Sequence, residues 1–489
     1  MASPKRRESL RRLVFASCAM LSLAGCSTTA TADCEDTQDI PTPRLLCAPL
    51  SDTSALNALI PAASLGKPGD SVPKSRVVPP LQHGKLRLKD ALMRVIADSP
   101  ELGIAAAKER EQFAAIRGAK AGRYPVIELS SSAGPQQSWN QGQVGTGTRR
   151  EVGLSMRQML YDFGATDNNQ ARAEFAHDSA RSARLAKTEQ VGFDLIETLM
   201  KVQQIDETIA LTKRSIAAHQ HILSIVERNE SDGNSSVADI KRITTRLESA
   251  RGNLIDLTTE RASASDAFRR LTTFDVDMII DTVTPRLRGQ VLDVAGADID
   301  RNHEIRAIGM EIASLDKQLA AAQSGALPSL GLEGSYKFGR QMSEPLESDR
   351  RHNGNILVVF RMPLMDGGAN LSQREQILAR LEGAQFRLEK RRRELREDGL
   401  GAARIVSTNQ SKLASLEARV QSSRKVVDLY MLQFKEGGRT IFDLLDSQGD
   451  LLKAETDLIN QKYMRRRAGL KSLLVRGELV STIFGMDKS

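Results

Sequence analysis

Apolar and polar residues alternate in four short stretches of this 489-residue chain. From Ser329 onward, Leu330, Leu332, Tyr336 and Phe338 share one parity, while Ser329, Gly331, Glu333, Ser335 and Lys337 take the other. Ile356, Val358, Phe360 and Met362 repeat the pattern, with Arg361 opposite. Earlier in the chain, Ile127 and Leu129 oppose Glu128 and Ser130, and Val152, Leu154 and Met156 oppose Ser155 and Arg157. A period of two over about ten residues suits a strand with one face in lipid. Strands are therefore predicted at about 125–138, 150–161, 328–340 and 354–365. Elsewhere the period is helical. Helices are predicted from Leu88 to about Gly122 and from Glu304 to about Ser324, and the proline-free runs 166–229 and 369–433 predict helices about 95 Å long. The segments that return from them carry heptads. Leu444, Leu451 and Leu458 lie seven apart, as do Leu445, Leu452 and Ile459, and as do Ile240, Leu247 and Leu254. Such seams indicate coiled-coil packing.

The elements occur twice. Ser99-Pro100-Glu101-Leu102 aligns with Asn302-His303-Glu304-Ile305, and Tyr124-Pro125 with Leu327-Pro328, both at an offset of 203. Leu160-Tyr161-Asp162-Phe163-Gly164 then aligns with Leu364-Met365-Asp366-Gly367-Gly368, and Gly233 and Asp239 with Gly437 and Asp443, at an offset of 204. Landmarks that hold register over about 140 residues mark a structural duplication. Each half supplies a helix, a strand pair and a long helical hairpin.

The N-terminus sets the compartment. Lys5, Arg6, Arg7, Arg11 and Arg12 precede an apolar run from Leu13 to Ala24, too short to span a membrane. This is a secretory signal, and its Leu23-Ala24-Gly25-Cys26 end resembles a bacterial lipobox that would lipidate Cys26. An ordinary signal with a chance cysteine is the alternative. Ser27 resembles the residue found in lipoproteins sent to the outer membrane. Cleavage before Cys26 removes five basic groups and Glu8, leaving +4 of the formal +8. No segment joins basic and aromatic residues in a nucleic-acid footprint. Cys34 and Cys47 remain and could pair in an oxidising compartment. Nothing indicates a metal or another cofactor. Half of the 16 prolines fall between Pro41 and Pro80, so residues 26–83 read as a lipid-anchored extended tether. The expected order is signal peptide 1–25, tether 26–83, first repeat 84–298, second repeat 299–482 and tail 483–489.

Four strands in lipid would leave unpaired edges, each unsatisfied group costing several kcal/mol, so a closed barrel is required. Barrels need about eight strands or more. Copies of the chain must therefore pool their strands.

The duplicated halves, the proline entering each first strand, and Gly437-Gly438-Arg439-Thr440-Ile441-Phe442-Asp443-Leu444-Leu445-Asp446 resemble the TolC family over residues 86–480. The resemblance implies a trimeric duct of mainly α structure with a membrane β-barrel: twelve strands continued by twelve periplasmic helices. It implies an outer-membrane exit channel for efflux or type I secretion. Its partners would be a homotrimer of the chain, outer-membrane lipid, an inner-membrane ABC or RND-type transporter and a periplasmic adaptor. By the same resemblance Asp443 and Asp446 match paired acids ringing the periplasmic entrance. Arg439 matches an arginine that locks neighbouring hairpins, and Asp239 its acidic partner. Phe434 departs from the pattern, standing where some members carry a hydrogen-bonding tyrosine. Helix capping also explains two of these acids, since Ser236-x-x-Asp239 and Thr440-x-x-Asp443 both have the capping form. Asp446 lies nearly a turn beyond.

Enzymatic readings lack residues. His219 and His221 fall on different sides of a helix, His303 sits at a helix junction, and no nucleophile elbow, phosphate loop or zinc-protease pattern occurs. Gly145-Thr146-Gly147 lacks the third glycine and helix of a nucleotide site. The rival is a lipid-anchored periplasmic adaptor, which would carry one hairpin between β-rich domains. The cargo, protein or small molecule, stays open.

Overall fold

The computed structural model describes residues 86–140, 143–232, 235–279, 299–343 and 347–485. The expected signal peptide and tether, including Cys26, Cys34 and Cys47, lie outside them. The elements are α1 (Leu88–Asp98), α2 (Pro100–Ala121), β1 (Val126–Asn140), β2 (Gln143–Tyr161), α3 (Ala165–Ser231) and α4 (Val237–Thr272). The second half supplies α5 (His303–Ser324), β3 (Ser329–Ser343), β4 (Glu347–Arg361), α6 (Ala369–Lys435), α7 (Ile441–Arg476) and α8 (Leu479–Gly485). The halves match in length. α2 and α5 each have 22 residues, α3 and α6 have 67, and α4 and α7 have 36.

The turns explain the matching landmarks. Pro125 and Pro328 enter each half's first strand, where a missing N–H costs the ladder nothing. Gly164 (φ 84°) and Gly368 (φ 86°) precede the long helices in the left-handed conformation that glycine adopts without a steric penalty. Asp162 Oδ2 accepts the Thr166 N–H and Asp366 Oδ2 that of Asn370, both at 2.8 Å, filling donors left open in the first helical turn.

Several boundaries differ from the sequence expectation. The single helix expected from Leu88 breaks at Ser99, because Pro100 forces its neighbour to extended backbone (ψ 121°). The Ser99 hydroxyl then caps a new helix through the Leu102 N–H. β2 and β4 begin at Gln143 and Glu347, seven residues before the expected starts. Backbone pairing continues there through polar residues, which carry no hydrophobic alternation. β4 stops at Arg361, two residues before Pro363, short of the expected 365. The expected tail also begins too early, since Ile483 is buried and Phe484 is packed in the core as part of α8.

The strands form one antiparallel sheet in the order β1-β2-β3-β4, leaving β1 and β4 as edges. Leu129, Leu154 and Tyr336 share a cross-strand row, and so do Glu128, Ser155 and Ser335 on the opposite parity. One face is apolar and open: Leu129 is 77% exposed, Ile356 77% and Phe360 65%. The other holds charge, with Glu333 paired to Arg157 and Arg361, and Glu151 to Arg149 and Lys337.

The largest core forms where α1, α3, α4, α7 and α8 meet. Leu92, Leu195, Leu199, Met200, Phe268, Tyr463 and Leu470 are among its most buried side chains. Burying each aliphatic chain contributes about 1.5–3 kcal/mol. A second cluster, Ile222, Val226, Ile243, Phe434, Ile441, Leu444 and Leu445, ties the two hairpins near their tips. Leu247 and Leu444 of the heptad seams are buried, whereas Leu371, Leu378, Phe386 and Leu429 of α6 stay exposed. No described helix is long and apolar enough to cross a membrane.

Candidate functional site

The four residues singled out at the hairpin tips are all described. At the second tip Gly437 (φ 76°) ends α6, and the Gly438 N–H reaches back to the Gln433 carbonyl at 2.8 Å, closing the helix end. The chain then turns through Arg439 into Thr440, whose hydroxyl caps α7. It accepts the Asp443 N–H at 3.3 Å and donates to Asp443 Oδ2 at 2.9 Å. Arg439 approaches the same oxygen at 3.7 Å, donates to Gln433 Oε1 at 3.1 Å, and lies 4.4 Å above the Tyr430 ring. At the first tip a full capping box forms: Ser236 N–H donates to Asp239 Oδ2 at 3.1 Å, and Ser236 Oγ accepts the Asp239 N–H at 3.2 Å.

Capping therefore accounts for Asp239 and for part of Asp443. Asp446 caps nothing; its Oδ1 pairs with Arg246 of α4 at 3.3 Å, with both side chains about half exposed. Within one chain Arg439 is engaged with Asp443, Gln433 and Tyr430, and Asp239 with Ser236, so Arg439 and Asp239 are not brought together. Phe434 is buried in the tip cluster, and the aromatic partner of Arg439 stands one turn earlier, at Tyr430.

Arg246 and Tyr430 escaped the sequence reading, although the repeat register carried a signal for the first. At the 204 offset Arg242 and Arg246 correspond to Asp446 and Asp450, so equivalent positions of the two return helices carry opposite charge. Arg242 lies 5.2 Å over the Phe442 ring. Two pseudo-equivalent helices meeting at the tip thus attract rather than repel. The bonds are half-exposed and each is worth about 0–1 kcal/mol, weak enough to exchange.

A second group of titratable residues lies far from the tips. A small cavity is lined by Glu189 of α3, His303 and Glu304 of α5, Arg391 and Asp398 of α6, and Lys471 of α7. Glu189 is 2% exposed, and its Oε2 accepts the Val480 N–H of α8 at 3.1 Å. Burial pushes this carboxyl up to about 7, against the pull of the α8 N–H groups. His303 is pushed down to about 4, first by burial and then by Arg306. α8 can lie this close because Gly192, less than a turn from Glu189, has no side chain; a Cβ there would meet Val480 Cγ2 at 3.2 Å.

Comparison with known proteins follows the same architecture. The pattern that defines outer membrane efflux proteins matches residues 91–273 and 297–473, one match per half. The Outer membrane protein TolC of Vibrio cholerae is 21% identical over 384 residues, 75% of this chain and 85% of that one. The Alkaline protease secretion protein AprF of Pseudomonas aeruginosa is 22% identical over 321 residues, 63% of this chain and 66% of AprF. The solved structure of the outer membrane protein VceC from Vibrio cholerae superposes with a TM-score of 0.71 at 16% identity, covering 80% of this chain and 96% of that one.

Proposed function

The chain belongs to the outer membrane efflux protein family, and from that membership we propose a complete duct built by three copies. It is an outer-membrane component of an efflux or secretion channel, in a family of transport channels and not of enzymes. Three four-stranded sheets close into one twelve-stranded barrel, and the α3–α4 and α6–α7 hairpins of the copies continue it as a periplasmic tunnel. One observation carries this reading: the sheet has two open edges and an apolar face on which Leu129, Leu154, Tyr336, Ile356 and Phe360 are exposed. The exposed leucines of α6 supply surface for a neighbouring copy. An adaptor would need one hairpin; this chain has two, each preceded by a strand pair. Cys26 carries the lipid, as its lipobox supports, and Cys34 and Cys47 close a loop in the tether. Cargo arrives from an inner-membrane ABC or RND-type transporter through a periplasmic adaptor. Deleting the gene is expected to deplete a secreted protein, to raise sensitivity to toxic small molecules, or both. Comparing the secreted proteome and drug tolerance of the deletion strain identifies the cargo class; no change in either overturns the export role.

At the tips, three copies of Asp443 and Asp446 line the entrance. In the closed state Arg439 exchanges its local contacts for Asp239 of a neighbouring hairpin. Crowded carboxylates attract cations. Single-channel recordings of Asp443→Asn with Asp446→Asn should therefore show loss of cation selectivity, and Arg439→Ser should raise conductance severalfold. Unchanged selectivity discards the acid ring, and an unaltered closed state discards the lock.

A further inference from the structure

The two halves of the chain meet along an internal seam. α5 of the second half runs antiparallel to α3 of the first: Ser179 Oγ donates to the Ala307 carbonyl at 2.8 Å, and Ser314 Oγ to that of Arg172 at 2.9 Å. Near the tips the halves meet again through the ion pair of Arg246 on α4 with Asp446 on α7. The halves also repeat one another residue by residue. α2 corresponds to α5 at the offset of 203, and α3 and α4 correspond to α6 and α7 at 204. Rotational phase is kept, since Ile243 and Ala250 of α4 and their counterparts Ser447 and Ala454 of α7 are all buried.

A ring of alternating halves needs a second seam, between the second half of one copy and the first half of the next. Moving each internal contact by its offsets gives the residues that belong there. Ser179 with Ala307 becomes Gly383 of one copy with Ile104 of the next, and Arg246 with Asp446 becomes Asp450 with Arg242. All four identities change, yet both pairs match. Ala307 is buried in the internal seam, whereas its counterpart Ile104 is 72% exposed. Its seat is open, because a Cβ added at Gly383 would meet nothing within 4 Å. The bulk lost from serine to glycine is regained from alanine to isoleucine. Phe386 is exposed one turn further along α6 and falls level with Pro100 and Glu101 of the same neighbour. Asp450 and Arg242 carry opposite charge, with the polarity of Arg246 and Asp446 reversed.

We propose that successive copies join by repeating the chain's internal seam, with Ile104 of one copy seated on Gly383 of the next. An apolar knob over a gap in the facing helix is knobs-into-holes packing. The occupant is a second copy, because the duplication shapes this seat for the residue at the Ile104 position. The contact is head-to-tail and closes only as a ring. The inference rests on the three-copy reading and gives its helical interface a register.

Ile104→Cys with Gly383→Cys, oxidised in the purified full-length protein, tests it. Covalent dimers and trimers should exceed those of either single variant about tenfold, because a disulfide requires Cα atoms within about 7 Å. Ile104→Cys with Gln376→Cys should give no more than the single variants, since that thiol lies about 10 Å further along α6. Gly383→Leu should cut the heat-modifiable trimer about tenfold by overfilling the seat. Adding Ile104→Ala should restore it. The chain itself has room for the leucine, so its helical signal should not change. Asp450→Arg should likewise weaken the trimer, and adding Arg242→Asp should restore it. A heat-modifiable trimer that lacks the Ile104–Gly383 link, or is indifferent to Gly383→Leu, overturns the seam alone. Wild-type protein that never forms a heat-modifiable oligomer overturns the three-copy reading and the seam with it.

Discussion

Replacing Leu154 by arginine will remove the heat-stable trimer from the outer membrane, whereas arginine at the adjacent Ser155 will leave it in place. Leu154 stands in a row with Leu129 and Tyr336 on the apolar face and is 48% exposed, inside the apolar stretch that runs from Leu330 to Phe338 on β3. Arginine on the lipid face at that depth costs about 2–4 kcal/mol per copy, and a trimer bears the cost three times. Ser155 has the opposite parity, in register with Glu128 and Ser335 on the charged face, where water and a carboxylate are at hand. A change there should stay within about 1 kcal/mol. Outer-membrane fractionation with gel migration before and after heating reads both variants. A wild-type trimer from Leu154→Arg means the apolar face does not meet lipid. Equal loss from both variants means the two faces do not differ in environment.

The sequence exposed the duplication because turn chemistry survives where packing residues drift. Asp162 with Gly164 and Asp366 with Gly368 must each start a 67-residue helix from a left-handed glycine, so the motif stays recognisable while the helices share little. Strand parity was equally visible, because a face in lipid tolerates few polar residues. Where the constraint weakened, legibility fell. The ladder before Val152 and before Ile356 runs through arginine, threonine and asparagine, and backbone pairing leaves no periodic trace there. The tip acids were recognisable by resemblance, but their local bonds divide them differently. Asp239 is spent on its capping box, Asp443 is shared between Thr440 and Arg439, and Asp446 faces Arg246. Glu189 had no signal at all. It is one of many charged residues on a polar helix, and it becomes buried only when a segment 291 residues away folds over it.

That glutamate and His303 should give opposite pH dependences that cancel in the intact protein. In the folded state Glu189 ionises only near pH 7, because burial disfavours the carboxylate and Glu478 adds to the effect; unfolded, it ionises near 4.5. Between these values the folded state holds a proton the unfolded chain has lost. Glu189 thus contributes stability in full below about pH 4.5, and the contribution is lost as pH rises to about 7. His303 runs the other way. Its folded value of about 4 lies below the ordinary 6.5, so the unfolded chain takes up a proton that the buried ring refuses, and stability falls as pH drops from about 6.5 to about 4. Each slope is about 1.4 kcal/mol per pH unit, and each totals about 3 kcal/mol per protomer. The remaining charges around the cavity are paired, Lys471 with Asp398 at 3.0 Å and Arg391 with Glu304 and Glu394, and they are common to every variant. Differences from wild type isolate the two groups. The stability of Glu189→Gln relative to wild type should rise by about 3 kcal/mol between pH 4.5 and 7, and that of His303→Leu should fall by a similar amount between pH 4 and 6.5. Denaturant midpoints of the helical signal across pH 4–8 measure both differences. Two flat lines would mean that neither group carries its burial into the stability of the α3–α8 junction.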